Sequence, residues 1–265
     1  MASIDFEAEF NARAAVPEHP QIFARWRSDA ARYRATAPCR LGVAYGDGPR
    51  QAVDVFGPAG TFARAGTLRE GPLALFIHGG WWRAMERESF SHMARGLNAH
   101  GVAVAVAGYD LCPQVTIGAI VDQMRAAAGM LAKGRRIVAF GHSAGGHLAA
   151  VLASTMPEAV AAGYAISGVF DLEPLIHTSM NADFGLDAAT ARALSPLHMP
   201  PAPFDSVVGG LESNAFKAQS RALSRRWGAA YGEAAGANHF TVLDALADPD
   251  STMVARLRDM CVRYP

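Results

Sequence analysis

Apolar residues follow two different rhythms along this chain. From residue 72 onward, short uninterrupted apolar runs recur: "LALFIH" (73–78), "VAVAVAGY" (102–109), "IVAFG" (137–141), "AVAAGYAIS" (159–167) and "FDSVVGG" (204–210). Runs without alternation predict strands buried on both faces, as in parallel sheets. Between them the period lengthens. Ile117, Ile120, Val121, Met124 and Leu131 share one helical face, and Met253, Leu257, Met260 and Cys261 form a similar stripe near the C-terminus. Before residue 72 the texture differs. Residues 5–35 read as a helical arm interrupted at Pro17 and Pro20. The alternation in Gln51–Phe56, set off from "VAYG" by "DGPR", predicts a β-hairpin.

A hairpin followed by strand–helix alternation predicts an α/β fold with a mostly parallel sheet and helices on both faces. The polar, Gly-rich connection Pro58–Pro72 is too short to separate domains. Residues 1–265 are therefore expected to form one domain, with 1–38 as an N-terminal helical arm and 169–203 as a short cap-like insertion.

Composition narrows the function classes. At 51% apolar, 265 residues can bury a sizeable core. Lys+Arg and Asp+Glu both number 24, so the net charge near zero argues against nucleic acid or an anionic membrane as the main partner. No apolar run reaches the length of a membrane span. The acidic N-terminal stretch lacks the basic and apolar regions of a signal peptide, so the expected location is cytoplasmic. Cys39, Cys112 and Cys261 are widely spaced and odd in number, giving neither a metal signature nor a disulfide framework.

One short stretch changes the picture most. "FGHSAGGH" (140–147) joins a strand-like run to the helical "AGGHLAAVLAST", which places Gly141-His142-Ser143-Ala144-Gly145 on a strand–turn–helix elbow. Such an elbow forces the serine into a strained conformation, and the flanking glycines remove side chains that would collide. Ser143 is thus the candidate nucleophile, against the plainer reading of a helix N-cap. A serine needs a base. Of nine histidines, only His147, His177, His198 and His239 follow Ser143. His239, in a loop after a small-residue strand end and before a helix starting near Thr241, has the expected position. His147 lies one turn into the elbow helix and points away. The acid must fall between serine and histidine. Glu212, after "FDSVVGG", occupies that place, with Asp171 in "SGVFDLEPL" as the alternative.

"HGGWW" (78–82) follows an early buried strand. Its glycines let backbone N–H groups approach a developing oxyanion, so Gly79 and Gly80, with Ala144, are the candidate donors. Trp81, Trp82, His142 and Tyr109 are candidate pocket walls; each tryptophan could instead pack in the core. His78 is expected to brace the loop by hydrogen bonding.

Taken in order, "HGGWW", "GYDLCP", "GHSAGGH", "GGLESNAFKAQS" and "NHF" resemble the α/β-hydrolase superfamily, in particular its HGG-type, hormone-sensitive-lipase-like esterase branch. Within it they look like the serine-hydrolase kynurenine formamidases (arylformamidases), and the arm "FNARAAVPEHP" is similar to a segment that lies near the site in that group. The usual family acid is aspartate, so Glu212 is a departure. The resemblance implies a serine hydrolase acting on a small carboxylic ester or aryl formamide through an acyl-enzyme. It implies no cofactor or metal. A thioesterase shares the mechanism, and a non-catalytic binding protein of the same fold is the alternative from another class; a homodimer is left open. The short insertion and the arm are expected to make a small cap over a pocket for a small acyl group.

Overall fold

The computed structural model describes residues 4–58, 60–62 and 71–264. Most of the Pro58–Pro72 connection therefore lies outside the described residues. Among the described residues, eight strands form one sheet: β1 (Cys39–Ala44), β2 (Ala52–Phe56), β3 (Leu73–Ile77), β4 (Ala103–Ala107), β5 (Ile137–His142), β6 (Val160–Ile166), β7 (Phe204–Gly209) and β8 (Ala230–Ala234). Their spatial order is β1-β2-β4-β3-β5-β6-β7-β8. The β1–β2 and β2–β4 pairs are antiparallel, and every other pair is parallel.

The uninterrupted apolar runs have the expected cause. Every residue of β2 through β6 is buried, because helices cover both faces of the central strands. The edge strands β1 and β8 are only partly covered. Helices α1 (Phe6–Phe10), α2 (Ala12–Ala15) and α3 (His19–Thr36) make the arm. The others are α4 (Arg95–Ala99), α5 (Ile117–Leu131), α6 (Ala144–Thr155), α7 (Asn181–Phe184), α8 (Ala188–Leu194), α9 (Asn214–Trp227) and α10 (Thr252–Arg263). The stripe predicted from Ile117 to Leu131 is buried on α5, and Met253, Leu257, Met260 and Cys261 are buried on α10.

One detail of the arm departs from expectation. The chain does break between α2 and α3 at Val16–Glu18, but Pro20 starts a helix instead of interrupting one. It lies in the first turn of α3, where its missing N–H would have had no intrahelical acceptor. The arm also packs into the core. Ile22, Trp26 and Ala30 of α3 are buried. Trp26 stacks toward Phe90 (5.5 Å between centroids), Phe90 toward Phe76 (5.8 Å) and Phe76 toward Phe140 (5.2 Å), an aromatic chain reaching the strand before Ser143. Arg34 adds an ion pair to Asp54, which is fully buried on β2 and also accepts from Gly42 N at 2.7 Å. Burying that carboxylate is tolerable because charged and backbone donors replace its water.

Candidate active site

Five segments deliver the site to one edge of the sheet. In open α/β sheets, the carboxyl ends of parallel strands are where ligands gather. β3 ends at the HGG loop, β5 at Ser143, β6 at Ser167, β7 at the turn bearing Glu212, and β8 at the loop bearing His239. Since β3 and β5 are neighbours, the HGG loop runs directly beside the elbow.

Ser143 sits between β5 and α6 with φ 53° and ψ −118°, and is buried. For a residue with a Cβ, this left-handed backbone is strained by ~1–3 kcal/mol and persists only where the surroundings enforce it. The surroundings are glycines. A Cβ on Gly141 would collide with the Gly145 carbonyl, and one on Gly145 with the Ile77 carbonyl. The elbow is therefore pressed against the end of β3. Ala144 opens α6, where the first N–H groups lack intrahelical acceptors and carry the positive end of the helix dipole.

The HGG loop is wound just as tightly. Gly80 (φ +105°), Trp81 (φ 52°) and Trp82 (φ 53°) are consecutive left-handed residues. A Cβ on Gly80 would strike the Ala84 carbonyl, and one on Gly79 would come to 2.9 Å from the His142 carbonyl oxygen. Bracing comes from beneath. Tyr109 donates from its hydroxyl to the His78 carbonyl at 2.8 Å, and His78 donates from Nδ1 to the Gly79 carbonyl at 2.7 Å. The His78 ring lies against Tyr109, with centroids 4.3 Å apart. Arg50 donates to the Tyr109 and Met85 carbonyls. Burial lowers the pKa of His78 to about 4, so it stays a neutral hydrogen bonder.

Glu212 and His239 meet in the interior. His239 donates from Nδ1 to Glu212 Oε2 at 2.6 Å. The other carboxylate oxygen, Oε1, accepts from Ser167 Oγ at 2.5 Å and from Gly209 N at 2.6 Å. Fixing Nδ1 as the donor leaves Nε2 free to act as an acceptor. The turn and the loop are stitched by Gly210 N to Ala234 O (2.8 Å) and Leu211 N to Ala237 O (2.9 Å). Asn238 folds the histidine loop by accepting from Phe240 N and Thr241 N, both at 2.9 Å. The His239 ring packs between Phe216 (4.3 Å) and His142 (4.7 Å). His142 donates from Nε2 to the His239 carbonyl at 2.7 Å. Burial, followed by the neighbouring His239, holds the pKa of His142 well below its ordinary value, so it serves as a neutral brace.

Ser143, His239, His142, Gly79, Gly80 and Trp81 line a common cavity of about 350 Å³. Phe10, Arg13, Phe23 and Trp26 from the arm, with Met180 and Asp183 from the 169–203 insertion, supply its outer wall.

Two expected pocket residues, Trp82 and Tyr109, lie elsewhere and do not line the cavity, and His147 points away as expected. Trp82 is fully buried edge-on to His147 (5.0 Å) and Phe184 (5.6 Å). Tyr109 is fully buried under the HGG loop. The residues after His239 form a 3-10 helix over Thr241–Ala247. Asp171 caps Glu173 N at 3.1 Å and borders a different cleft. His147 points away from the cavity, donating from Nε2 to the Leu194 carbonyl at 2.7 Å.

Comparison with known proteins gives the family. The family described as "Alpha/beta hydrolase family" matches residues 74–263. This chain belongs to the alpha/beta hydrolase family. It is a hydrolase. Among characterised relatives, kynurenine formamidase of Salmo salar is 27% identical over 253 residues, covering 86% of this chain and 84% of its own. Kynurenine formamidase of Drosophila melanogaster is 29% identical, covering 82% and 79%. Among solved structures, one described as a candidate thioesterase from Silicibacter sp. tm1040 is 35% identical with a TM-score of 0.86, covering 96% of this chain and 98% of its own.

Sequence reasoning missed part of this hydrolase's site. Ser167 carried no signal beyond standing at the end of an apolar run, yet it has φ 54° and holds Glu212. The cavity-facing residues of the arm were also not named individually: Phe10 and Arg13 lie on helices too short for a periodic pattern, and Phe23 and Trp26 lie on the longer α3.

Proposed function

We propose that this hydrolase cleaves a small carboxylic ester or aryl formamide through an acyl-enzyme, with Ser143 as nucleophile, His239 as base and Glu212 as the acid that orients it. The observation carrying the proposal is the buried 2.6 Å contact from His239 Nδ1 to Glu212 Oε2, beside a strained serine on the wall of the same cavity. In this reading His239 Nε2 takes the Ser143 proton as Oγ attacks the carbonyl carbon. The N–H groups of Gly79, Gly80 and Ala144 hold the oxyanion, each donor contributing ~2.7–4 kcal/mol to the transition state. His239 then protonates the departing alcohol or arylamine, and water repeats the cycle on the acyl-enzyme. Every step uses side chains and backbone of this chain.

Cavity size supports a small substrate. About 350 Å³ is at the lower end of the ~300–1,000 Å³ span of small-molecule sites. Similarity to kynurenine formamidases over most of the chain favours the aryl formamide. The Silicibacter relative's description favours a thioester as the second reading, with the same triad and a thiolate leaving group. A hydrolysis panel decides among them: N-formylkynurenine, 4-nitrophenyl acetate, butyrate and octanoate, and a short acyl thioester. The formamide and short esters should turn over and octanoate should not. Turnover confined to the thioester would replace the first reading with the second.

A further inference from the structure

The cavity's outer wall carries four charged side chains: Glu7, Arg13, Arg83 and Asp183. Three are already engaged. Glu7 accepts from Ser179 N at 2.7 Å and Ser179 Oγ at 2.8 Å, and Arg83 pairs with Asp183 at 2.6 Å. Arg13, on α2, has no ion pair among the described residues. Its guanidinium lies over the ring of Phe23, 5.8 Å from the centroid, and Phe23 also lines the cavity. A guanidinium resting on an aromatic face keeps its planar fork of donors available while losing part of its rotamer freedom in advance. An unpaired, partly preorganised fork on the wall that faces Ser143 matches a carboxylate, which it can grip through two parallel hydrogen bonds.

We propose that Arg13 is a specificity-determining residue that binds a carboxylate on the substrate, remote from the scissile carbonyl. Resting on the hydrolase reading above, this narrows the substrate class to small anionic esters or formamides whose apolar middle lies against Phe10, Phe23, Trp26 and Trp81. The acyl carbon reaches Ser143 while the carboxylate stays at the arm, where solvent access lowers the desolvation cost of the charge.

Binding without turnover tests the proposal first. 4-Phenylbutyrate and its neutral amide, 4-phenylbutyramide, are titrated calorimetrically into the full chain and into Arg13→Gln and Arg13→Lys variants. The unmodified chain should bind the carboxylate about ten-fold more tightly than the amide, the scale expected for a charge-assisted hydrogen bond. Arg13→Gln should abolish the preference, and Arg13→Lys should restore part of it. Because Arg13 is exposed, the fold should survive, and circular dichroism of each variant checks this. No preference in the unmodified chain, binding of neither ligand, or a preference unmoved by Arg13→Gln would overturn the proposal. Turnover supplies a separate arm. The ratio of kcat/KM for 4-nitrophenyl hydrogen glutarate over 4-nitrophenyl valerate should fall about ten-fold in Arg13→Gln. If neither ester is hydrolysed while the binding preference holds, the ester reading fails and the carboxylate site stands.

Discussion

The nucleophile elbow and the N-terminal arm face each other across one cavity and are held by different physics. Around the elbow, every residue from Ala144 to Ala153 is buried, and glycines allow β3 and α6 to touch backbone to backbone. The first two arm helices bury one residue each, Phe10 and Ala12. Polar latches keep them in place: Glu7 on Ser179, Glu9 Oε2 accepting from Ala215 N at 2.8 Å, and Ser213 Oγ donating to the Glu9 carbonyl at 2.7 Å. A strained conformation needs the first kind of support, because only a packed interior over-determines a backbone. A wall that selects substrates can rest on the second. Changes at the elbow should therefore act on kcat, and changes in the arm on KM.

Ser143→Ala breaks the comparison most severely. Loss of the nucleophile is expected to reduce kcat by ~10⁴–10⁶ with the thermal transition preserved. Steady-state assay beside calorimetry checks this, and more than a tenth of the original rate would remove Ser143 from its role.

Next in size is the acid. Glu212→Gln should lower kcat by roughly 10³–10⁴, because an amide no longer specifies the Nδ1–H tautomer. Asp171→Asn should leave kcat within about a factor of three, as expected for a turn cap that does not line the cavity holding Ser143. Measured side by side, reversed effects would move the acid to β6.

Ser167→Gly removes one of the donors holding Glu212, while glycine accepts the local φ of 54°. A hydrogen bond to a charged group of ~1.5–3 kcal/mol corresponds to a fall in kcat of about ten-fold or more. An unchanged kcat would show that Gly209 N and His239 suffice to orient the carboxylate.

These effects were unevenly legible in the chain. Strands β3 to β7 announced themselves because burial on both faces favours apolar runs, with only a few polar positions such as Asp205 and Ser206 on β7. β8 was legible only as a small-residue strand end, since "AYGEA" is a partly covered edge strand without large aliphatic residues. Chain order was enough to propose Ser143, Glu212 and His239, because the fold fixes which strand ends carry them. The fates of Trp81 and Trp82 were not readable: both have left-handed backbones, and a turn of one residue sends one ring to the cavity and the other to the core. Ser167 and Arg13 act through contacts with residues 45 and 10 positions away, respectively, which no local pattern encodes.

The smallest expected loss among the site-facing residues lies in the arm. Phe10→Ala deletes edge-on ring contacts to Trp81 (5.9 Å) and Phe216 (5.6 Å), each pair worth ~0.5–1.5 kcal/mol beyond area. KM should rise about three- to ten-fold with kcat changed less, and amide exchange over residues 6–15 should quicken. A loss confined to kcat would mean that the arm positions the reacting groups as well as the substrate.

The central claim, that Ser143 attacks substrate from a strained elbow activated by His239, is tested most directly by covalent labelling. The protein is treated with a fluorophosphonate or sulfonyl fluoride and mapped by peptide mass spectrometry, with Ser143→Ala alongside. The account predicts one adduct, on the peptide bearing Ser143, formed in step with loss of activity and absent from the variant. Inactivation with Ser143 unmodified, or an adduct that persists in Ser143→Ala, would contradict it.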